Sequence, residues 1–182
     1  MTRSDAEVPE YVVELRSVVE RATPALLALG DERSAHRPAP GKWSPREIIG
    51  HLIDSASHNH QRFVRAQMQD ELVFAGYEQD AWVATQRYQE APWRELVTLW
   101  RAYNVHMAHL MAVVPDDVRA RRRRTHNLHE LAWRPVPRHE PATLEYFMRD
   151  YVAHLRHHLR QIHGLASIAG PSSEAADAAA PA

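Results

Sequence analysis

Two histidines near the C-terminus, His154 and His158, stand four residues apart in DYVAHLRHHLRQI, residues 150–162. Residues at this spacing lie one above the other on a helix, so both imidazoles can reach one metal ion. The spacing alone is weak evidence, because 13 histidines in 182 residues produce about one such pair by chance. A metal site and a pair of polar core residues bonded to backbone or water are both consistent with it.

The helical wheel places these two histidines on or beside the apolar face of their helix. His158 falls inside the apolar arc and His154 lies just beyond its edge. The residues of the arc are Leu144, Phe147, Met148, Tyr151, Leu155, Leu159, Ile162 and Leu165. A buried imidazole needs a partner for each ring nitrogen, and one metal ion supplies a partner for both rings.

A third histidine, His51, is the candidate ligand from another helix. It lies on the flank of an apolar stripe in GHLIDSASHNHQRF, residues 50–63, and Ser55, His58 and Arg62 continue that flank. A residue on such an edge faces a seam between helices. Three neutral imidazoles leave coordination positions open to water or substrate, as in catalytic metal sites.

The chain has no cysteine. This excludes disulfides, thiolate zinc sites and cysteine nucleophiles, so any metal must be held by nitrogen and oxygen.

Other polar residues are weaker candidates. Asp54 and Asp150 are the carboxylates nearest in sequence that could orient the ligating imidazoles. Glu78 and Asp80 are placed near the mouth of the site, where Trp82 could line a pocket. The remaining histidines considered are interpreted as solvated or seam residues, namely His58, His60, His106 and His109.

The elements that must position these residues are four long helices. Glycine is scarce, at 6 residues, and apolar residues recur at helical rather than alternating spacing. The helices are expected at about 9–22, from Pro45 through Val64, at 92–113 and at 143–168. Ser44 as N-cap, Pro45 at the first position and Glu47 three residues after the cap form a capping box.

The remaining segments are expected to be shorter or irregular. Thr23-Pro24 predicts a cap that restarts a short helix through Leu29, and another short helix is expected around 80–88. Residues 30–42 and 116–142 are interpreted as irregular connections. The sequence thus predicts an all-α four-helix bundle, with a single domain over residues 1–169 and a disordered tail over 170–182.

Composition limits the function classes. A formal net charge of −1 provides no basic field for nucleic acid or for an anionic membrane surface. The sequence has neither the apolar run of a signal peptide nor one long enough to span a membrane, so a cytoplasmic location is expected.

Three segments resemble the DinB/YfiT-like superfamily of bacterial four-helix bundles. They are RPAPGKWSPREIIGHLIDSASHNHQRF (37–63), GYEQDAWVATQRY (76–88) and LEYFMRDYVAHLRHHLRQI (144–162). In that family a histidine from a W-S-x-x-E-x-x-x-H-L-x-D segment and two from a C-terminal H-x-x-x-H bind a divalent metal. The resemblance therefore implies ligation by His51, His154 and His158, with zinc or nickel as the metal.

The resemblance implies a small-molecule enzyme, either a metal-dependent hydrolase or a transferase of a low-molecular-weight thiol, in which the metal activates water or thiol. A non-catalytic metal-bearing binding or stress-response module is the alternative. An arginine cluster, Arg119 with residues 121–124, is interpreted as a solvated loop, or as a patch that docks the carboxylates of such a thiol. Relatives often pair, which is consistent with a homodimer.

Overall fold

The computed structural model describes residues 8–162 and Leu165, and this part of the chain is a bundle of four long helices. The helices in chain order are α1 (Glu10–Leu27), α2 (Gly30–Ala35), α3 (Pro45–Arg65), α4 (Gln79–Thr85), α5 (Trp93–Val113), α6 (Asp116–Ala120), α7 (Leu128–Leu131) and α8 (Leu144–Gln161). A 3-10 turn covers Tyr88–Glu90. The predicted all-α four-helix bundle is confirmed, and no helix in the described residues is long and apolar enough to cross a membrane.

The four long helices form a ring in which α1 and α3 each pack against both α5 and α8. Helices α1 and α3 are therefore diagonal, as are α5 and α8, so the connections between them cross the bundle. The centre of the ring is filled by large side chains that are fully buried, among them Trp100, Phe63, Met107 and Met111. This arrangement places α3 beside α8, the two helices that carry the candidate ligands.

The start of α3 is fixed by the predicted capping box. The Ser44 backbone N–H donates to Glu47 Oε2 at 2.9 Å, and the Glu47 backbone N–H donates to Ser44 Oγ at 3.3 Å. Pro45 occupies the first helical position, where its missing N–H has no helical partner to lose. Arg37 adds an ion pair to the same Glu47 carboxylate. The predicted boundary is confirmed.

Helix α1 is longer than predicted. Thr23 does not cap a new helix, because its Oγ1 donates to the Val19 carbonyl at 2.7 Å and α1 continues through Pro24. The apolar face of α1 extends to the fully buried Leu26, so packing compensates for the hydrogen bond that proline cannot make.

The segment predicted as a loop at 30–42 contains the short helix α2. Arg33 on α2 donates to the carbonyls of Ala28 and Leu29, at 2.7 and 3.1 Å. These carbonyls follow α1, so α2 satisfies acceptors that the end of α1 leaves open.

Two other boundaries also differ from the prediction. Helix α8 ends at Gln161 rather than near residue 168, because Ile162 adopts an extended conformation and Leu165, also non-helical, is buried. Residues 166–168 and the predicted tail at 170–182 lie outside the described residues. The connection at 116–142 is more ordered than expected, since it contains α6, α7 and a bridge between Arg123 and Ala142.

Glu47→Gln is expected to lower the free energy of unfolding at neutral pH by about 1–2 kcal/mol, because a neutral amide replaces an ionised acceptor of the cap. Burial disfavours the Glu47 carboxylate, but hydrogen bonds from Arg37 and Ser44 outweigh it and lower the pKa below 4.5. The contribution of a group with a lowered folded pKa is present above its unfolded pKa and is lost as pH falls through the folded value. Urea denaturation should therefore show a difference that shrinks in acid.

Glu90→Gln is the matched control. Glu90 pairs with Arg87, and both side chains are mostly exposed, so the expected change is below about 0.5 kcal/mol. Equal losses in the two variants, or a Glu47→Gln effect independent of pH, would contradict the assigned role of the cap.

Candidate metal centre

The three predicted ligands converge in the seam between α3 and α8. His51 comes from α3, and His154 and His158 come from successive turns of α8. One ring nitrogen from each lies within 4.8 Å of the other two. The Nε2 atoms of His51 and His154 are 3.3 Å apart, and the ring centroids are separated by 4.5–5.2 Å.

Burial keeps these imidazoles neutral. It lowers the pKa of His51 to about 3 and that of His158 to about 4, and it lowers the pKa of His154 well below its ordinary value. Repulsion from neighbouring imidazoles lowers the pKa of His51 and His154 further, mainly through the other rings of the cluster. For His158, a hydrogen bond with Gln161 partly opposes the effect of burial, and the adjacent His157 adds to that effect. Neutral imidazole is the form that ligates a metal.

The donor set fits a divalent ion. Two imidazoles bound to one tetrahedral ion at about 2.0–2.1 Å have nitrogens about 3.3–3.4 Å apart, which matches the separation of His51 and His154. The Nε2 atoms of His51 and His154 face each other and have no other hydrogen-bond partner among the described residues. The buried Nδ1 of His51 has no partner among those residues at all. Nitrogen-only sites of this kind suit zinc and nickel among other metals.

Two tryptophans form walls on either side of the cluster. The Trp43 ring lies 5.0 Å from His51 and 6.2 Å from His158, measured between centroids. Trp133 lies 6.5 Å from His154. Asp150 holds this second wall, because its Oδ2 accepts from the Trp133 backbone N–H at 2.8 Å and its Oδ1 accepts from the Arg134 backbone N–H at 2.9 Å. Both carboxylate oxygens of Asp150 therefore accept hydrogen bonds from the connection before α8, so neither is directed at a histidine of the cluster.

A cavity of about 330 Å³ borders the cluster, a size typical of small-molecule sites. His154 and His158 line it, together with residues from three other parts of the chain. These include Asn59 and Arg62 from α3, Tyr77 from the segment before α4, and Trp133 from the connection before α8. A second depression shares His158 with Trp43 and Asp80, whereas Glu78 is the exposed residue before α4.

Asp54 is tied to the 3-10 turn that follows α4. Its Oδ1 accepts from the Tyr88 hydroxyl and from Gln86 Nε2, both at 2.7 Å. Tyr88 can pack here because residue 50 is glycine, where a Cβ would lie 2.1 Å from Tyr88 Cδ2. Burial raises the pKa of Asp54 even though both hydrogen bonds oppose the shift. Its Oδ2 is buried without a partner in the described part of the chain.

Of the four other histidines considered, His58 lies in surroundings that differ from the prediction. His58 is not a solvated residue, because it stacks on Tyr77 at 3.9 Å and contacts Trp82 at 4.4 Å. His60 and His106 form a separate surface pair with Nε2 atoms 3.4 Å apart. His109 lies beside that pair, with its ring 6.4 Å from His106.

The arginine cluster is only partly solvated. Arg123 is buried, and its Nη2 donates to the Ala66 carbonyl at 2.9 Å. Its neighbours Arg122 and Arg124 are exposed. None of the cluster lines the cavity beside the histidines, so this surface does not extend the site.

Sequence reasoning missed Gly50, Tyr77, Tyr88 and Trp133. A glycine inside a helix, next to a candidate ligand, is the one available signal, because it indicates a close approach by another part of the chain. The other three residues come from connections without periodicity.

The comparisons with known proteins agree with this fold. A family model described as the DinB superfamily matches residues 14–162. The solved structure of YfiT from Bacillus subtilis, described as a probable metal-dependent hydrolase with an unusual four-helix bundle topology, superposes with a TM-score of 0.71. The two sequences are 21% identical, and the match covers 94% of each chain. At that identity the likeness shows the fold. A sequence search of curated proteins gave no match.

Gly50→Ala is expected to destabilise the protein by about 1–3 kcal/mol, because the new methyl group would displace the Tyr88 ring. This result would run against the helix propensity of alanine, which exceeds that of glycine by about 1 kcal/mol. Chemical denaturation measures the change. Gly76→Ala is the control, since its Cβ would meet Leu131 at an ordinary 3.5 Å. A stabilised Gly50→Ala variant would contradict the close packing of Tyr88.

Proposed function

Because the chain belongs to the DinB superfamily, we propose that it is a divalent-metal-dependent enzyme acting on a small molecule, with His51, His154 and His158 as the metal ligands. The observation that carries the proposal is the meeting of three neutral imidazoles at the wall of a cavity. The description of YfiT as a probable metal-dependent hydrolase supports hydrolysis as the reaction class.

A bound divalent metal would lower the pKa of water or of a thiol, or polarise a carbonyl group. The chain has no cysteine, so a thiol nucleophile could not come from the protein. Water is the proposed nucleophile. A low-molecular-weight thiol as cosubstrate would give a transferase by the same metal chemistry.

The surrounding residues would orient the ligands and limit access of water. Trp43 and Trp133 cover the two sides of the cluster with apolar rings. A ligating imidazole commonly donates its second N–H to a carboxylate or to water. We assign this orienting role to Asp54, three residues after His51 on α3, because its Oδ2 and the Nδ1 of His51 are both buried and neither has a hydrogen-bond partner in the described part of the chain. The two atoms do not bond each other directly, so a bridging water would connect them.

Access to the cluster favours an enzyme over a non-catalytic metal-bearing module. Structural metal sites are normally closed by four protein ligands. Here three side chains meet, and two of them, His154 and His158, line the cavity. A substrate in the cavity would therefore be next to the ligands. Zinc or nickel as the metal and a homodimer as the assembly stay predictions, testable by elemental analysis and light scattering.

The tag-free protein is expected to carry about one zinc or nickel ion per chain, and the double variant His154→Ala, His158→Ala almost none. Loss of two of three ligands leaves a single imidazole, which cannot hold the ion against dilution. Elemental analysis of identically grown and purified proteins is the measurement, repeated after incubation with each metal and desalting.

His157→Ala is the matched control, because His157 is adjacent on α8 but is not one of the three converging rings; its Nε2 contacts Gln161, whose Oε1 stays available to His158 Nδ1 in the variant. It should retain the wild-type metal content. Negligible metal in the wild type, even after incubation, would overturn the proposal. The metal-loaded wild-type protein and the double variant, treated in the same way, should then be assayed with esters, with amides and with substrate pairs for thiol transfer. Activity is expected only in the wild-type protein.

A further inference from the structure

Arg62 is a buried cation on the wall of the cavity. Only 6% of the residue is exposed. Its Nη2 donates to the Ala75 carbonyl at 2.8 Å and its Nη1 donates to Asn59 Oδ1 at 3.4 Å. No ion pair within the described residues includes it. A guanidinium has five N–H donors, so the protein uses only part of its hydrogen-bonding capacity.

Burying an unpaired guanidinium is unfavourable, and proteins normally pair such charges. Burial lowers the pKa of Arg62, but arginine stays protonated in proteins. A second buried arginine, Arg123, shows a structural use of such a cation, because its two terminal nitrogens donate to the carbonyls of Val118, Arg121 and Ala66, although its Nε is buried without a partner in the described part of the chain. Arg123 does not line the cavity, whereas Arg62 does.

Among the described residues that line the cavity, no other charged group forms an ion pair with Arg62. Asp150 lines the cavity, but its two oxygens accept the backbone N–H groups of Trp133 and Arg134. Glu130 lies at the exposed edge and contacts His129. Tyr77 is neutral, because burial raises its pKa to about 12. The imidazoles at the other end are neutral as well, and a bound metal would make the cavity still more positive.

We infer that the cavity accepts small molecules that carry a carboxylate, and that Arg62 binds this group while the reacting part of the molecule faces His154 and His158. A guanidinium pairs with a carboxylate through two parallel hydrogen bonds. The amide of Asn59 and the hydroxyl of Tyr77, which line the same cavity, offer further polar contacts. The assignment of the reacting end rests on the proposed function, whereas the anion site itself does not.

The length of the ligand follows from the helix. His51 and Arg62 are eleven residues apart on α3, which corresponds to about 16 Å along the axis. Side chains lean toward the helix N-terminus, so Arg62 points back toward the cluster and shortens this span. A series of chain lengths is therefore the appropriate probe.

The probes are ω-mercaptocarboxylates from 3-mercaptopropionate to 6-mercaptohexanoate, each beside its neutral primary amide. Calorimetry on metal-free and zinc-loaded protein should show at least one acid binding about tenfold or more tightly than its amide. Arg62→Met should bring the acid-to-amide ratio close to one, because the acid loses a charge-assisted pair of hydrogen bonds whereas the amide loses at most a weaker neutral one. Arg62→Lys should keep part of the preference, because it keeps the charge but loses the paired donors.

Arg123→Met is the matched control, since it removes another buried arginine with carbonyl partners outside the cavity, and it should keep the full preference. An unchanged circular-dichroism spectrum and unchanged metal content in Arg62→Met exclude misfolding as the cause. No acid preference in the wild type, including no binding of any probe, or a preference that survives in Arg62→Met, would overturn the inference.

The outcomes separate the two proposals. Zinc uptake without an acid preference would refute the carboxylate site and leave the metal site intact. An Arg62-dependent preference in protein that takes up no metal would refute the metal site and leave the carboxylate site intact.

Discussion

Burial of imidazole nitrogens in the seam between α3 and α8 is the constraint on which the rest of the site depends. His51 is buried and His154 and His158 are half-buried, and burial lowers the pKa of all three, so none of them gains a proton easily. Among the described residues, one close contact joins two of these rings, between the Nε2 atoms of His51 and His154. Buried polar atoms of this kind are normally satisfied. A shared ion would satisfy one nitrogen on each ring at once, which hydrogen bonding among three neutral rings cannot do.

Most of the residues that shape this site lie on α3. The capping box at Glu47 fixes the first turn of this helix, and the side chains that matter follow at helical intervals. Gly50 leaves room for the Tyr88 ring, the Tyr88 hydroxyl donates to Asp54, and Arg62 lines the cavity three turns after His51. A shift of this helix by one residue would rotate each of these groups by about 100°. The register of one helix therefore sets the positions of His51, Asp54 and Arg62 together.

Much of this arrangement could be predicted from sequence, because its signal is local or periodic. The apolar stripes predict the four long helices, and their edges indicate His51 and His154. The boundaries that failed depend on tertiary contacts instead: α1 continues through Pro24 because Leu26 is buried, and α2 forms where Arg33 can satisfy the carbonyls after α1. Tyr77 and Trp133 reach the site from connections, which carry no periodicity to reveal their direction.

The charges of the site have a consequence for the substrate. Neutral imidazole ligands would leave the full positive charge of a bound divalent ion on the site, whereas carboxylate ligands would reduce it. With such an ion bound at the histidines, the cavity would have two cationic groups on its wall, the ion and the guanidinium of Arg62. A substrate with one carboxylate and one neutral reacting group can be oriented by this field, since the carboxylate binds at Arg62 and leaves the metal free. If hydrolysis generated a second carboxylate at the metal, the product would bind at both ends. Release of that product would then be the step that the positive cavity slows.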